Sequence, residues 1–552
     1  MGRFDMIEKV LNPTSNRRKS IRIPLVTDVF SRGANRLIGR SLNIFRDGVF
    51  VETNNILEPG TKMLLEFMLP ERQNFIIAYG DVKWTTGHQV KKPSGMGIQF
   101  IGMYEVFKRK LEEYVVSYEE QINSDNHTLG DFINITDKDL FKKTKPAFGY
   151  IKDMKRKGHY TYQQKMLSAS RNRVKVLDEK TGKEKEIIMM GSSNYLGLAN
   201  HPEVVKSSKE AVNKYGMGAS SVPLLAGTSD IHSQLEAKLA ELTGCEDAIV
   251  FPTGYMANLG CISGLIRKQD VVIVDEAIHA SVIDGCKLSG SSFRTFKHSN
   301  LENLKQVLED IKDRYSGKLV IVEGVYSMDG DIAPLPQIVE VAHEYGAKVM
   351  VDDAHAIGVI GERGRGSASY FNLQGRIDII MGSLSKTLGS LGGFVASSLE
   401  VINYLRYYAK PFFFAVNLPP SIAASVLTAV NIMENEPRLH QTLWKNIKYI
   451  KENLKSLGLT VMPSDSSIMS IVVGDELILR KMSKRINEEG VYIDAIPYPA
   501  VPKGQARLRL RVTANHTKED LDTVLGVLEK IGKEFGVLNG PERSCENVLV
   551  SG

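Results

Sequence analysis

Lys-Val-Met-Val-Asp-Asp-Ala-His at 348–355 and Ile-Asp-Ile-Ile-Met-Gly-Ser-Leu-Ser-Lys-Thr-Leu-Gly at 377–389 decide the fold. Each opens as an apolar run too short for a helix and closes on polar residues, Asp352 and His355 in the first, Ser383 and Lys386 in the second. Such runs read as strands buried on both faces, and ligands of open α/β sheets collect at the C-terminal ends of strands. The residue types match as well. A lysine amine can hold a carbonyl compound as a Schiff base, and a carboxylate can keep a ring nitrogen protonated so that the ring accepts electrons. Lys386 and Asp352 are the candidates for that pair.

Outward from these stretches, similar runs at 248–251, 271–274, 319–322, 349–351 and 377–381 alternate with helical segments, the pattern of a largely parallel α/β sheet. A smaller α+β region follows from about residue 411, with strands near 468–473 and 506–512 and helices at 476–489 and 518–535. Upstream, short β-runs at 21–29, 48–52, 62–68, 75–84 and 97–100 are separated by Gly, Pro and Asn and suggest a small barrel. Phe107, Leu111, Tyr114, Val115 and Tyr118 then recur at helical spacing, and a Lys-rich stretch at 124–157 reads as a linker with one or two helices.

Further candidates sit at turns. Thr253, Gly254 and Tyr255 follow a strand and should open a helix whose backbone N–H groups can cradle a phosphate, although such turns are also common as plain structure. His279 could lie flat on a cofactor ring, or simply cap the next helix. Ser327 could bond a phenolic oxygen or be an ordinary turn hydroxyl. Arg507, Arg509 and Arg511 share one strand face, where one could hold a carboxylate and the other two are expected to be solvated charges.

Composition sets the class. At 552 residues the chain exceeds one hydrophobic core, and roughly 150 residues per domain suggest three or four folding units. Its 43% hydrophobic and 24% charged residues argue against disorder, and a net charge of +6 favours anionic small ligands without requiring nucleic acid. Cys245, Cys261, Cys286 and Cys545 form no CxxC pair, which argues against a disulfide framework and a metal site and for a reducing cytoplasm. The N-terminus lacks an apolar signal core, and no apolar stretch is long enough to predict a spanning helix.

Taken in order, Ser-Ser-Asn-Tyr-Leu-Gly-Leu-Ala-Asn-His-Pro (192–202), Leu-Ala-Gly-Thr-Ser-Asp-Ile-His (225–232), Pro-Thr-Gly-Tyr-Met-Ala-Asn (252–258), Glu-Gly-Val-Tyr-Ser-Met-Asp-Gly (323–330), Val-Asp-Asp-Ala-His and Ser-Leu-Ser-Lys resemble the α-oxoamine synthases. So does Tyr-Pro-Ala-Val-Pro-Lys-Gly-Gln-Ala-Arg-Leu-Arg at 498–509. The resemblance covers about residues 160–540 and implies the fold of type I pyridoxal 5'-phosphate (PLP) transferases and a homodimer. It implies that Lys386 carries PLP, Asp352 pairs its ring nitrogen, His279 stacks on it, and His355 and Ser327 address its phenolic oxygen, with Thr253, Gly254, Tyr255 and Ser383 also on the cofactor. Asn194 and Arg509 would hold the substrate carboxylate. The freed lysine amine would take the α-proton of an amino acid, whose carbon then attacks an acyl thioester, on CoA or a carrier protein. Pro223 stands where many relatives have arginine, Ala415 where they often have a hydroxyl, and Ser383 where threonine is more usual.

Residues 17–103 resemble a PilZ domain, a small barrel that senses cyclic di-GMP. Arg18 and Arg22 match its RxxxR arm, whose guanidinium groups would clamp phosphates. Asn43 and Gly48 match the ends of its second motif, in which Phe45 replaces a serine.

The expected organisation is therefore a tail (1–16), a PilZ-like barrel with a C-terminal helix (17–115), a helical linker (116–165), the synthase domain (166–540, large part about 200–410, small part about 411–540) and a tail (541–552). The expected activity is a serine palmitoyltransferase-like condensation of serine or glycine with an acyl thioester. The alternatives are a 2-amino-3-ketobutyrate CoA ligase or 8-amino-7-oxononanoate synthase, a class I/II aminotransferase, or a non-catalytic cyclic di-GMP binding protein.

Overall fold

The computed structural model describes residues 23–24, 27–31, 36–45, 47–69, 75–86, 94–119, 123–178 and 182–538. Its contacts divide the chain into two compact units, one of residues 1–127 and 131–157, the other of residues 128–130 and 158–552.

In the first unit an antiparallel sheet closes on itself. Asp28–Ser31 pairs with Lys62–Met68, then follow Phe75–Thr86, Gly95–Met103 and Gly48–Glu52, and Arg36–Phe45 joins the last strand back to the first. Closure removes the exposed edges that an open sheet would leave. Leu65, Phe67, Ile76 and Ile98 fill the interior, and Leu111 of the helix Glu105–Glu119 packs against them with 1% of its surface exposed. The strand Arg36–Phe45 lies outside the expected β-runs. Gly39 interrupts its apolar pattern because the neighbouring strand runs so near that a Cβ there would lie 2.3 Å from the Glu52 carbonyl oxygen. In the linker, buried Asp153 accepts hydrogen bonds from both Ser124 N and Oγ at 2.9 Å and pairs with Lys157 at 2.8 Å, tying the helix Lys145–Lys157 to the turn Ser124–Asn126.

The second unit is built on seven strands, β1 (Asp247–Phe251), β2 (Val271–Asp275), β3 (Ser292–Phe296), β4 (Lys318–Glu323), β5 (Lys348–Asp352), β6 (Ile379–Ser383) and β7 (Gly393–Ser397). They are ordered β1-β7-β6-β5-β4-β2-β3, with only β7 antiparallel to its neighbours. Alternate residues feed two cores. Val272, Val274, Ile321 and Met350 face one side, and Ile273, Val320, Val349 and Val351 the other. Burial on both faces explains why these strands read as continuous apolar runs.

The C-terminal region carries an antiparallel sheet of Ile468–Gly474, Ala506–Arg511 and Asp494–Ile496, covered by helices that include Glu476–Glu488 and Lys518–Glu534. A second small sheet joins Arg173–Leu177 and Glu184–Met189 to Val491–Tyr492. No helix among the described residues is long and apolar enough to cross a membrane.

Candidate active site

A cavity of about 430 Å³ opens at the C-terminal ends of β4, β5 and β6, where α/β sheets bind ligands. The helix α1 (Gly254–Leu265) points its N-terminus at this cavity, and Thr253 caps it by accepting a hydrogen bond from Met256 N at 3.1 Å. β7 passes so close behind the turn that a Cβ on Gly393 would lie 2.5 Å from the Gly254 Cα. The first backbone N–H groups of α1 therefore remain available to an anion. Tyr255 also lines the cavity, its hydroxyl donating to Asp284 and its ring standing edge-on to His279 with centroids 6.2 Å apart.

Asp352 ends β5 and is fixed by two donors, Asn258 Nδ2 at 2.8 Å and Ala354 N at 3.0 Å. Asn258 lies one turn into α1 and also reaches Ser281 Oγ at 2.9 Å, so one amide ties the cradle helix to the carboxylate. His279 both caps α2 (Ala280–Ser289) and lines the cavity; its Nδ1 meets Ser281 Oγ at 2.7 Å. Burial, reinforced by Lys386 and opposed by Asp352, holds its pKa below the ordinary histidine value.

Lys386 lines the same cavity. Burial depresses its amine pKa, Asp352 and Glu323 oppose that, and Arg511 and Arg509 add to it. His355 is buried against Tyr195, whose hydroxyl is 2.7 Å from Nδ1. Burial and then the positive charge of Lys386 hold this imidazole well below its usual pKa, so it is neutral. Ser383 Oγ pairs with Ser385 Oγ at 2.9 Å, and Ser327 is anchored through its backbone, N donating to Glu323 Oε2 at 3.0 Å.

One expectation needs correction, that of the arginines, and one residue, Asn194, lies beside the cavity lining and not in it. Its side chain accepts from Ala199 N at 3.2 Å and donates to Ser170 O at 3.4 Å, so both ends of the amide are held by backbone, while the adjacent Ser193 lines the cavity. The three arginines of Ala506–Arg511 are not solvated. Arg507 is 2% exposed and paired with Asp329, whereas Arg509 and Arg511 both line the cavity and share Asp494. Two guanidinium groups against one carboxylate leave a net positive charge facing the cavity, which favours a carboxylate ligand.

Asn258, Glu323, Ser193 and Asp494 escaped the sequence reading, and Arg511 was weighed there only as one of three arginines. The first two lay inside quoted motifs and could have been found from spacing, since Asn258 is one helical turn beyond Gly254 and Glu323 ends its strand as Asp352 does. Asp494 had no local signal, because its partners come from Asp494–Ile496 pairing with Ala506–Arg511. Among the described residues no cluster of His, Cys, Asp or Glu could hold a metal ion. In the barrel, Arg18 and Arg22 lie outside the described residues; Asn43 is in the strand Arg36–Phe45, and Gly48 begins the next strand opposite Phe45.

Residues 185–528 match the family Aminotransferase class I and II, and residues 16–117 match the PilZ domain. An 8-amino-7-oxononanoate synthase of Thermoanaerobacter pseudethanolicus is 48% identical over 354 residues, 64% of this chain and 90% of that protein. The 4-hydroxy-2,2'-bipyrrole-5-methanol synthase PigH of Serratia is 39% identical over 428 residues, 77% of this chain and 65% of that one. Among solved structures, a serine palmitoyltransferase of S. paucimobilis with PLP and myriocin bound superposes with a TM-score of 0.69 at 34% identity, covering 72% of this chain and all of that one.

Proposed function

The chain belongs to the α-oxoamine synthases within the aminotransferase class I and II family, and from that premise we propose that it joins serine or glycine to an acyl thioester, releasing the free thiol. It is a PLP-dependent acyltransferase with a PilZ domain at its N-terminal side. The observation that carries the substrate reading is the convergence of Lys386, Asp352, two neutral histidines and two cavity-facing arginines on one cavity.

These residues fit PLP. The capped N-terminus of α1 offers N–H groups to its phosphate, Asp352 offers a fixed carboxylate to its ring nitrogen, and Lys386 offers an amine to its aldehyde. Bound there, PLP supplies an electron-accepting ring. Asn258 and Ala354 hold the Asp352 carboxyl in one orientation. The depressed pKa of Lys386 enlarges the neutral fraction of its amine, which a general base needs. In the tautomer that accepts from the Tyr195 hydroxyl at Nδ1, His355 carries its proton on Nε2 and can donate it to a phenolic oxygen. Arg509, aimed at the cavity and steadied by Asp494 at 3.0 Å and by the Ser327 carbonyl at 2.8 Å, is placed to take the amino-acid carboxylate.

The exposed apolar side chains Phe414, Val416, Met217 and Leu225 support burial of apolar surface against a second copy of the chain. The barrel supports cyclic di-GMP binding through Arg18 and Arg22, with calorimetric heat expected from the full-length protein and none from the Arg18→Ala variant.

The test is a panel of amino acids and acyl thioesters, followed by free-thiol release and product mass. Thiol release that requires both substrates supports the proposal. Amino transfer to a keto acid without thiol release contradicts it.

A further inference from the structure

Three neighbouring strands, β2, β4 and β5, each end in a carboxyl: Asp275, Glu323 and Asp352. All three are buried, which is costly for adjacent anions unless each has a compensating partner. Asp275 has one. His298 Nδ1 sits 2.9 Å from its Oδ1 while His298 Nε2 reaches Asp331 at 2.9 Å. Burial alone would depress this imidazole, but the hydrogen bonds to Asp275 and Asp331 overcome it and push the pKa to about 10. Asp352 has two hydrogen-bond donors and faces Lys386.

Glu323, between them, is placed differently. It is the direct cross-strand neighbour of Asp352, lines the cavity and is 2% exposed. Its Oε2 accepts from Ser327 N at 3.0 Å, but its Oε1 has no partner among the described residues. A buried carboxylate oxygen with no donor is expensive; the same oxygen carrying a proton loses that cost and becomes a donor in a residue that lines the cavity.

We propose that Glu323 is the un-ionised carboxylic acid of this cavity, holding a proton on Oε1 and offering it to an acceptor on the bound cofactor or substrate beside Asp352. One negative charge, on Asp352, then faces the ring instead of two. The charged groups around Glu323 agree: burial and then Asp352 raise its pKa, Asp275 adds to this, the Ser327 N–H and Lys386 oppose it, and the result is about 8. Loss of this proton in alkali places a second anion next to Lys386 and raises the basicity of its amine.

The inference rests on the reading of this cavity as the PLP site, and its test reads the carboxyl itself. Infrared spectra of the full-length holoenzyme, with glutamate side chains labelled by carbon-13, are compared between the natural protein and Glu323→Gln at neutral pH. The natural-minus-variant difference should contain a protonated-carboxyl stretch that shifts on labelling and disappears in alkali. A flat difference spectrum in that region overturns the proposal, whether or not condensation is observed. Should the variant fail to fold, the labelled natural protein suffices, since absence of any label-sensitive protonated-carboxyl band at neutral pH also overturns it.

Discussion

The strand Lys62–Met68 of the barrel buries Leu65 and Phe67 deeply while Lys62 and Met68 face solvent, whereas every residue of β2 is buried. A closed barrel has one inner face, and a sheet lying between two cores has none left for water. A polar group at the end of a central strand must therefore find a partner or change its protonation. A polar group on the barrel's outer face can remain solvated. Titratable groups with shifted pKa values accordingly include Glu323 at the end of β4, His298 where it pairs with Asp275, and Lys386 and His355 at the cavity.

Lys386→Ala tests this contrast most severely. Visible absorption of the bound cofactor should vanish and condensation should fall by more than about 10³-fold, the scale of losing a general base, with the barrel's thermal transition unchanged. Leu65→Ala is the converse. It should cost the barrel about 2–5 kcal/mol, read as an earlier first transition in calorimetry, while cofactor absorption stays as it was. A single merged transition for either variant would break the comparison. Arg509→Lys removes a charged two-pronged donor worth about 1.5–3 kcal/mol, so the amino-acid KM should rise roughly 10- to 100-fold with cofactor absorption retained.

The smallest expected effect concerns Asp153 in the linker. Burial would raise its pKa, but Lys157, Arg156 and Ser124 overcome that and hold the carboxyl well below the usual aspartate range. A lowered folded pKa means that its stabilisation is present above the unfolded value near 3.8 and is lost as pH falls below it. Asp153→Asn should therefore cost roughly 1 kcal/mol at neutral pH and show a flatter acid unfolding profile, measured by denaturant titration.

Much of the central sheet was legible because two-sided burial writes itself as apolar runs, and the polar residues that end them stand out. Lys386, Asp352, His279 and His355 were readable for that reason, and they share one cavity. Arg36–Phe45 was not, since Gly39 and its arginines break the alternation where two strands approach closely. Arg173–Leu177 and Glu184–Met189 were missed although they pair with each other, because charged residues interrupt their apolar pattern and the partner of Glu184–Met189 on its other edge, Val491–Tyr492, lies far along the chain. The orientation of Asn194 was not legible, because sequence cannot tell which way an amide turns, and here the backbone at 170 and 199 takes both of its ends.

The central claim, that the Lys386 amine holds the cofactor beside Asp352, is tested most directly by borohydride reduction of the holoenzyme followed by peptide mass spectrometry. The account predicts a stable pyridoxyl adduct on the peptide containing Lys386, and none on any peptide of the Lys386→Ala variant. An adduct on another lysine, or a native protein that binds PLP and yields no adduct, would contradict it.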